Sequence, residues 1–174
     1  IVRRERERTA EALRLQSAAL GCAGDGILIT DRDGNIVWTN PAFTQLTGYE
    51  SRELVGRNVR LLKSGKHPAE FYAAMWKTLL AGEVLHIEIT NRKKDGSLST
   101  YEQTTTPVRD QNGKITHFIA INRDITERKW MEKALRNSED RYRTLAVVTL
   151  EGIIIYDDLA IFEVNRATTE MFGY

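Results

Sequence analysis

The segment Val84–Thr126 leaves this chain little choice of fold. Val84–Arg92 alternates cleanly, with Leu85, Ile87 and Ile89 on one side and His86, Glu88 and Thr90 on the other. That period of two belongs to a half-buried strand. Lys94-Asp95-Gly96 and Asp110-Gln111-Asn112-Gly113 are hairpin turn signals, because Asn, Asp and Gly tolerate positive φ where other residues clash. Between them Leu98–Val108 is a threonine-rich β-run, and Thr116–Arg123 is a third. Three such runs joined by tight turns make an antiparallel meander. The pattern predicts a one-faced sheet, so the intervening helices must cover its inner side. Asp124 follows as a suitable N-cap, with Glu127 spaced for a capping box. A strand is thereby joined rigidly to a helix.

The upstream half supplies the rest of an α+β domain. Gly26–Asp31 and Asn35–Asn40 flank the turn Arg32-Asp33-Gly34 and predict a hairpin. Pro41–Thr47 reads as a short helix that Asn40 caps and Gly48 stops, and Ser51–Val55 as another. The stretch GRNVRLLKSGKHP has no strong period. After it, Pro68–Ala81 puts Phe71, Tyr72, Met75, Trp76 and Leu79 on one apolar face. Residues 1–20 carry Val2, Thr9, Leu13, Gln16 and Leu20 at coiled-coil spacing, a pattern that a single amphipathic helix shares. Beyond Thr126, Met131, Leu135, Ser138, Tyr142 and Leu145 fall at 4-3-4-3 spacing and predict parallel dimerisation. The chain then repeats itself: Gly152–Tyr174 echoes Gly26–Tyr49 with a turn one residue shorter. The reading is a linker helix over 1–20, a domain over 21–126, a coiled-coil connecting helix over 127–145 and the opening of a second copy over 146–174.

Charge and composition exclude several functions. With 25 basic and 24 acidic residues the net charge is +1, too even for a nucleic-acid footprint. No apolar run reaches membrane-spanning length, so this fragment is expected to stay out of the membrane, and the lone Cys22 points to a reducing compartment, the cytoplasm. The first residue is Ile, which leaves room for a longer parent chain. Cys22 is the lone cysteine, so no internal disulfide forms, and it reads as a small buried hydrophobe. No paired carboxylates in an apolar setting, nucleophile with its base, or phosphate loop is present, so the fragment is not read as an enzyme.

Two strands, a run of short helices, one longer helix and a three-stranded meander are the element order of a PAS domain. The motifs Asn40-Pro41-Ala42-Phe43, Gly48-Tyr49, Glu53-Leu54-Val55-Gly56-Arg57-Asn58, Arg92-Lys93-Lys94-Asp95-Gly96 and Arg123-Asp124-Ile125-Thr126 resemble that family. The resemblance covers Ala18–Thr126 in full and Leu145–Tyr174 in part. It implies a five-stranded antiparallel sheet whose inner face, with the helices, forms a small-molecule pocket, flanked here by coiled-coil-like helices. It also implies a sensory role upstream of an effector in the same chain, such as a histidine kinase or diguanylate cyclase. In PAS proteins the final Asp-x-Thr joins the last strand to the exit helix; Asp124 and Thr126 match it, and Arg128, one turn on, is placed to pair with Asp124 as a latch.

GRNVRLL further resembles the flavin-binding branch of the family, which includes the light-sensing LOV domains. Val59 stands where LOV domains carry their photoactive cysteine, so cysteine photochemistry is excluded. Asn58, Arg60, Asn91 and Asn122 match the polar residues that meet FAD or FMN in such domains. Lys63 replaces the LOV glutamine, Tyr101 the second strand asparagine, and Leu85 a frequent tryptophan; Tyr101 is a candidate to stack on or bond to a ligand. Independently of family, Asn91 is in phase with Leu85, Ile87 and Ile89, and Asn122 with Phe118 and Ala120. Both carboxamides therefore point inward, where lacking a partner costs about 1–3 kcal/mol. A flavin pyrimidine edge, ordered water or each other would satisfy them. Haem is a second candidate, since haem PAS sensors take their ligand from the longer helix, which His67 begins. A third reading is a ligand-free PAS module that dimerises through its flanking helices and relays strain.

Overall fold

The computed structural model describes residues 24–148 continuously, together with 18, 21, 154–156, 161–164 and 166–173. Apart from Ala18, the helix expected over residues 1–20 lies outside the described residues, as does Cys22. The chain divides into two compact units, Ile1–Thr126 and Glu127–Tyr174.

The first unit holds five strands in the spatial order β2-β1-β5-β4-β3, every neighbouring pair antiparallel. These are β1 (Gly26–Asp31), β2 (Ile36–Thr39), β3 (Leu85–Arg92), β4 (Leu98–Arg109) and β5 (Ile115–Asp124). The β3–β4–β5 meander forms where the alternation and turn residues place it. Its second turn closes by Gly113 N–H donating to the Asp110 carbonyl, while the Asp110 carboxylate accepts from the Asn112 and Lys114 amides. The first β-hairpin closes in the same way around Asp31 and Gly34. Gly34 sits at φ +84°, and a Cβ there would stand 3.0 Å from the Trp76 ring, so that turn needs glycine on two counts.

Helices α1 (Pro41–Thr47), α2 (Ser51–Leu54) and α3 (Ala69–Ala81) cover the inner face of the sheet. Phe43 and Leu54 join Leu28, Ile36, Leu62 and Ala120 in one core cluster. Tyr72 of α3 packs with Ile89 and Tyr101, and Leu79 with Ile115 and Phe118. Asn40 ties these layers together. It is fully buried; its Oδ1 accepts from Phe43 N–H at 2.9 Å, capping α1, and from Ile27 N–H at 2.8 Å, pinning β1. Its Nδ2 donates to the Asp25 carbonyl at 3.0 Å.

Two features depart from the sequence pattern. The sheet is one-faced at β3 and β4, but the strands β1 and β5 also carry isoleucines at the positions that alternate with the inward ones, where Ile27 pairs with Ile121 and Ile29 with Ile119. The unpatterned stretch before α3 forms a 3₁₀ turn, Val59–Leu62, and then a strap along the free edge of β3. Ser64 Oγ donates to the Thr90 carbonyl at 2.5 Å, Thr90 N–H donates to His67 Nε2 at 2.8 Å, and Arg92 Nη2 donates to the Ser64 carbonyl at 2.8 Å. These bonds, with the backbone bridge between Lys63 and Asn91, blunt an otherwise open edge.

Helix α4 (Thr126–Val148) starts at the last residue of the first unit; in the second unit β6 (Ile154–Tyr156), β7 (Ile161–Val164) and α5 (Arg166–Phe172) follow it. The hairpin-then-helix order reproduces β1–β2–α1. Along α4, Trp130, Met131, Leu135 and Tyr142 are exposed. No helix among the described residues is long and apolar enough to cross a membrane.

Candidate functional site

Between the inner face of the sheet and α3 lies a cavity of about 480 Å³, within the range of small-molecule sites. Its walls are apolar where Leu28, Phe43, Leu62, Met75, Trp76 and Phe118 meet, with Trp76 set edge-on to Phe118 at 5.7 Å. Part of its polar lining comes from alternate positions of the meander, and Thr30, Asp33, Asn58, Arg60 and Lys63 add to it. Asn91 on β3, Gln103 on β4 and Asn122 on β5 all line it, because the period of two turns every second residue inward.

Asn122 is only 3% exposed. Its Nδ2 makes one long bond, 3.4 Å, to the Gly26 carbonyl, and its Oδ1 has no donor among the described residues. Gln103 Nε2 donates to Thr105 Oγ1 at 2.9 Å, and its Oε1 has no donor among the described residues. The half-buried Asn91 carboxamide has no hydrogen-bond partner among the described residues. Carboxamides with unused donors and acceptors on a cavity wall are complementary to a ligand with its own donors and acceptors. In register Asn122 faces Gln103, and Asn91 faces Ser99. Four residues of β4 therefore separate the two asparagines along the strands, roughly 14 Å at 3.4 Å per residue. They meet different parts of any shared ligand.

The other expected contacts divide. Asn58 lines the cavity but is spent on the protein: its Oδ1 accepts from Arg60 N–H and Nε, and its Nδ2 donates to the Asp33 carbonyl and to Asn35 Oδ1. It fastens the 3₁₀ turn to the first hairpin. Arg60 and Lys63 both line the cavity and are exposed, so two cations stand at its mouth. Lys63 Nζ rests 4.0 Å above the Tyr72 ring.

Tyr101 does not line the cavity. Its ring passes beneath α1, where the hydroxyl donates to the Leu46 carbonyl at 3.1 Å. Burial, aided by the nearby Asp124 charge and opposed by a bond from Ser99, pushes its pKa up to about 12. It is a core residue. His67 is also redirected, since its Nε2 accepts from Thr90 and its ring stacks on Phe71 at 4.2 Å. The lone pair that would bind haem iron holds the strap to β3 instead.

The exit junction is built as the Asp-x-Thr pattern implies. Asp124 Oδ1 accepts from Thr126 N–H at 2.8 Å and from its hydroxyl. Thr126 Oγ1 accepts from Thr100 N–H at 2.9 Å, and Ile125 N–H donates to the Thr100 carbonyl at 2.9 Å. Ile125 is buried. The start of α4 is thus clamped to β4. The latch read between Asp124 and Arg128 is corrected: the cation beside Asp124 is Lys93, 3.9 Å away, while Arg128 pairs along its own helix with Glu132 at 3.8 Å.

Sequence reasoning missed Gln103. The signal was available, since Gln103 is in phase with Tyr101 and Thr105 on one strand. It also missed the Tyr72 hydroxyl, which is buried without a partner among the described residues while burial raises its pKa. Tyr72→Phe removes a desolvated group that bonds to nothing. It is expected to stabilise the ligand-free protein by about 1 kcal/mol, read from the urea midpoint; a loss of stability would mean that the hydroxyl has a partner.

The PAS domain family model matches residues 24–127, the whole of this architecture from just before β1 to the exit junction. The chain belongs to the PAS domain family. A second PAS model matches residues 140–174, so another PAS domain begins there. Among curated relatives, the nitrogen fixation regulatory protein of Klebsiella oxytoca is 38% identical over 131 residues, 75% of this chain and 26% of the relative. The blue-light-activated histidine kinase of Brucella ovis is 39% identical over 95 residues, 54% of this chain and 19% of the kinase. The chain thus spans about a quarter or less of these relatives' length. Among solved structures, that of an RNA-binding light-oxygen-voltage receptor superposes with a TM-score of 0.68 at 29% identity, covering 78% of this chain and 39% of the receptor.

Proposed function

We propose that this PAS domain is the sensory module of a larger regulator, most simply a histidine kinase or diguanylate cyclase, and that its cavity binds a flavin, FAD or FMN. The observation that carries the reading is the set of carboxamides Asn91, Gln103 and Asn122, with hydrogen-bonding atoms to spare, on the sheet wall of a cavity that Leu28, Phe43, Met75, Trp76 and Phe118 also line. A flavin ring has apolar faces and an edge of alternating donors and acceptors, which fits that wall. Arg60 and Lys63 at the mouth suit its phosphate. The kinship with a blue-light kinase and a light-oxygen-voltage receptor supports the ligand class, and Val59 in place of a photoactive cysteine favours redox over light sensing.

When bound, a flavin supplies a ring whose protonation follows its oxidation state. Asn122 answers such a change by reversing its carboxamide from acceptor to donor. It lies two residues before Asp124 on β5, so a shift there acts on the clamp between Thr126 and Thr100. The bistable element is then α4, whose uncovered Met131, Leu135 and Tyr142 form the seam of a parallel homodimer.

The test compares amide exchange at Ile125 and Thr126 in flavin-loaded protein, oxidised and then reduced by dithionite. About a tenfold change in exchange is expected, abolished by Thr126→Val, which breaks the bond to Thr100. Equal rates in both states would exclude this junction as the relay. A cavity that never takes up flavin would favour the ligand-free dimerising module, for which the exposed α4 seam suffices.

A further inference from the structure

We propose that His67 is a pH-operated latch on the cavity wall: neutral, it holds the start of α3 against the edge of β3, and protonated, it lets go. The bond that makes the latch also fixes the position of its proton. A backbone N–H can only donate, so the 2.8 Å contact from Thr90 N–H makes His67 Nε2 the acceptor and puts the ring's own hydrogen on Nδ1. An imidazolium carries N–H at both positions and has no lone pair to offer. Protonation therefore sets two N–H groups face to face, and the bond is lost. Histidine is the side chain whose ordinary charge change falls between about pH 5 and 8, so mild acid is enough to work the latch.

What His67 joins makes the latch matter to the cavity. It lies just before α3, whose N-cap, Pro68, makes no side-chain bond to the helix, and its ring stacks at 4.2 Å on Phe71 in the first turn. Tyr72, Ala73 and Met75 of that helix line the cavity, as does Asn91, the neighbour of Thr90 on β3. The other side-chain bonds along this edge act at Ser64 instead, where Oγ reaches the Thr90 carbonyl and the main-chain carbonyl receives Arg92. Between the two anchors Gly65 sits at φ +81° with open space around it. Ser64 can therefore stay in place while His67 leaves, and the wall between α3 and β3 opens. The surrounding charges favour release of a protonated ring. On the strap stand Lys66 and Lys63, whose Nζ is 4.0 Å above the Tyr72 ring that His67 meets edge-on at 6.2 Å. From β3 come Arg92 and the exposed Glu88, and from α3 the exposed Glu70 and the Tyr72 hydroxyl. Three cations thus face two carboxylates, and the positive end of the α3 dipole adds to the cations. The sign follows from the bond: the open form takes up a proton that the closed form cannot hold with its contact intact, so the closed fraction falls as pH falls. Whatever occupies the cavity then exchanges faster in acid.

The experiment follows amide exchange at Thr90 in the whole chain without ligand, at pH 7.5 and pH 5.5, each rate divided by the intrinsic rate for that pH. Protection at Thr90 is expected to fall about tenfold in acid, while Ile119 in the middle of β5 keeps its own. His67→Gln offers a carbonyl oxygen that accepts from Thr90 at either pH, so its Thr90 protection should stay constant to within about twofold; His86 and His117 remain in that variant and control for the other histidines. Imidazole nitrogen shifts at pH 7.5 should show the hydrogen of His67 on Nδ1. Equal Thr90 protection at the two pH values, a fall of the same size in His67→Gln, or a hydrogen on Nε2 would overturn the proposal. So would a loss at Ile119 in step with Thr90, which would mean general unfolding in acid. The wild-type comparison and the nitrogen shifts need no variant, so a misfolded His67→Gln would not rescue the idea.

Discussion

Asn40→Ala is expected to lower the unfolding free energy by about 3–5 kcal/mol, enough to leave much of the protein unfolded at 37 °C. The side chain is fully buried and bonds to the backbone at Asp25 and Ile27, where the chain enters β1, and at Phe43 in α1. Alanine leaves two amide donors and a carbonyl without partners in a region that water does not reach, and removes the cap of α1. The loss should appear as a lower urea midpoint with an unchanged slope. A loss below about 1 kcal/mol would mean that water replaces the amide, and that α1 and β1 are held mainly by Phe43 and its apolar neighbours.

The second large effect concerns the cavity. The double variant Asn91→Leu with Asn122→Leu is expected to weaken flavin binding on the order of a hundredfold, Asn122 carrying the larger share. Stability of the ligand-free protein should hold or rise slightly, since neither carboxamide has a strong partner in it. The opposite signs make the measurement informative. If both residues were structural, stability would fall and any affinity change would follow from unfolding. Titration of flavin fluorescence alongside urea unfolding separates the two.

How far the molecule is legible in its sequence differs by element. The meander and both hairpins follow from period-two alternation and from turns rich in Asp and Gly, and α1 runs from Pro41 to Thr47 as its cap and stop residues dictate. These are local rules, satisfied by neighbours in the chain. The strap at residues 63–67 was invisible because its bonds run from side chains to the backbone of a strand more than twenty residues away. His67 is a good example: its chemistry suits a metal, and only the fold shows its nitrogen committed to Thr90. Tyr101 misled in a different way. Its phase was right, since it does point inward, but a ring that long passes the cavity and ends on α1. Gln103 shares that phase and is shorter, so it stops in the cavity. Strand phase tells which face a side chain takes, and side-chain length and neighbours decide what it reaches there. Arg128 shows the weakness of pairing exposed charges by sequence distance, since Glu132 on the same helix offers an equal partner.

The account turns on one claim, that the cavity wall of Asn91, Gln103 and Asn122 holds a flavin. The most direct test is an absorption spectrum from 300 to 700 nm of the purified chain, before and after incubation with FAD and FMN and removal of the excess. The account predicts a pair of bands in the blue that stays with the protein and is lost in the Asn91→Leu, Asn122→Leu variant. A protein that remains colourless through both incubations, with its fold intact, would contradict it.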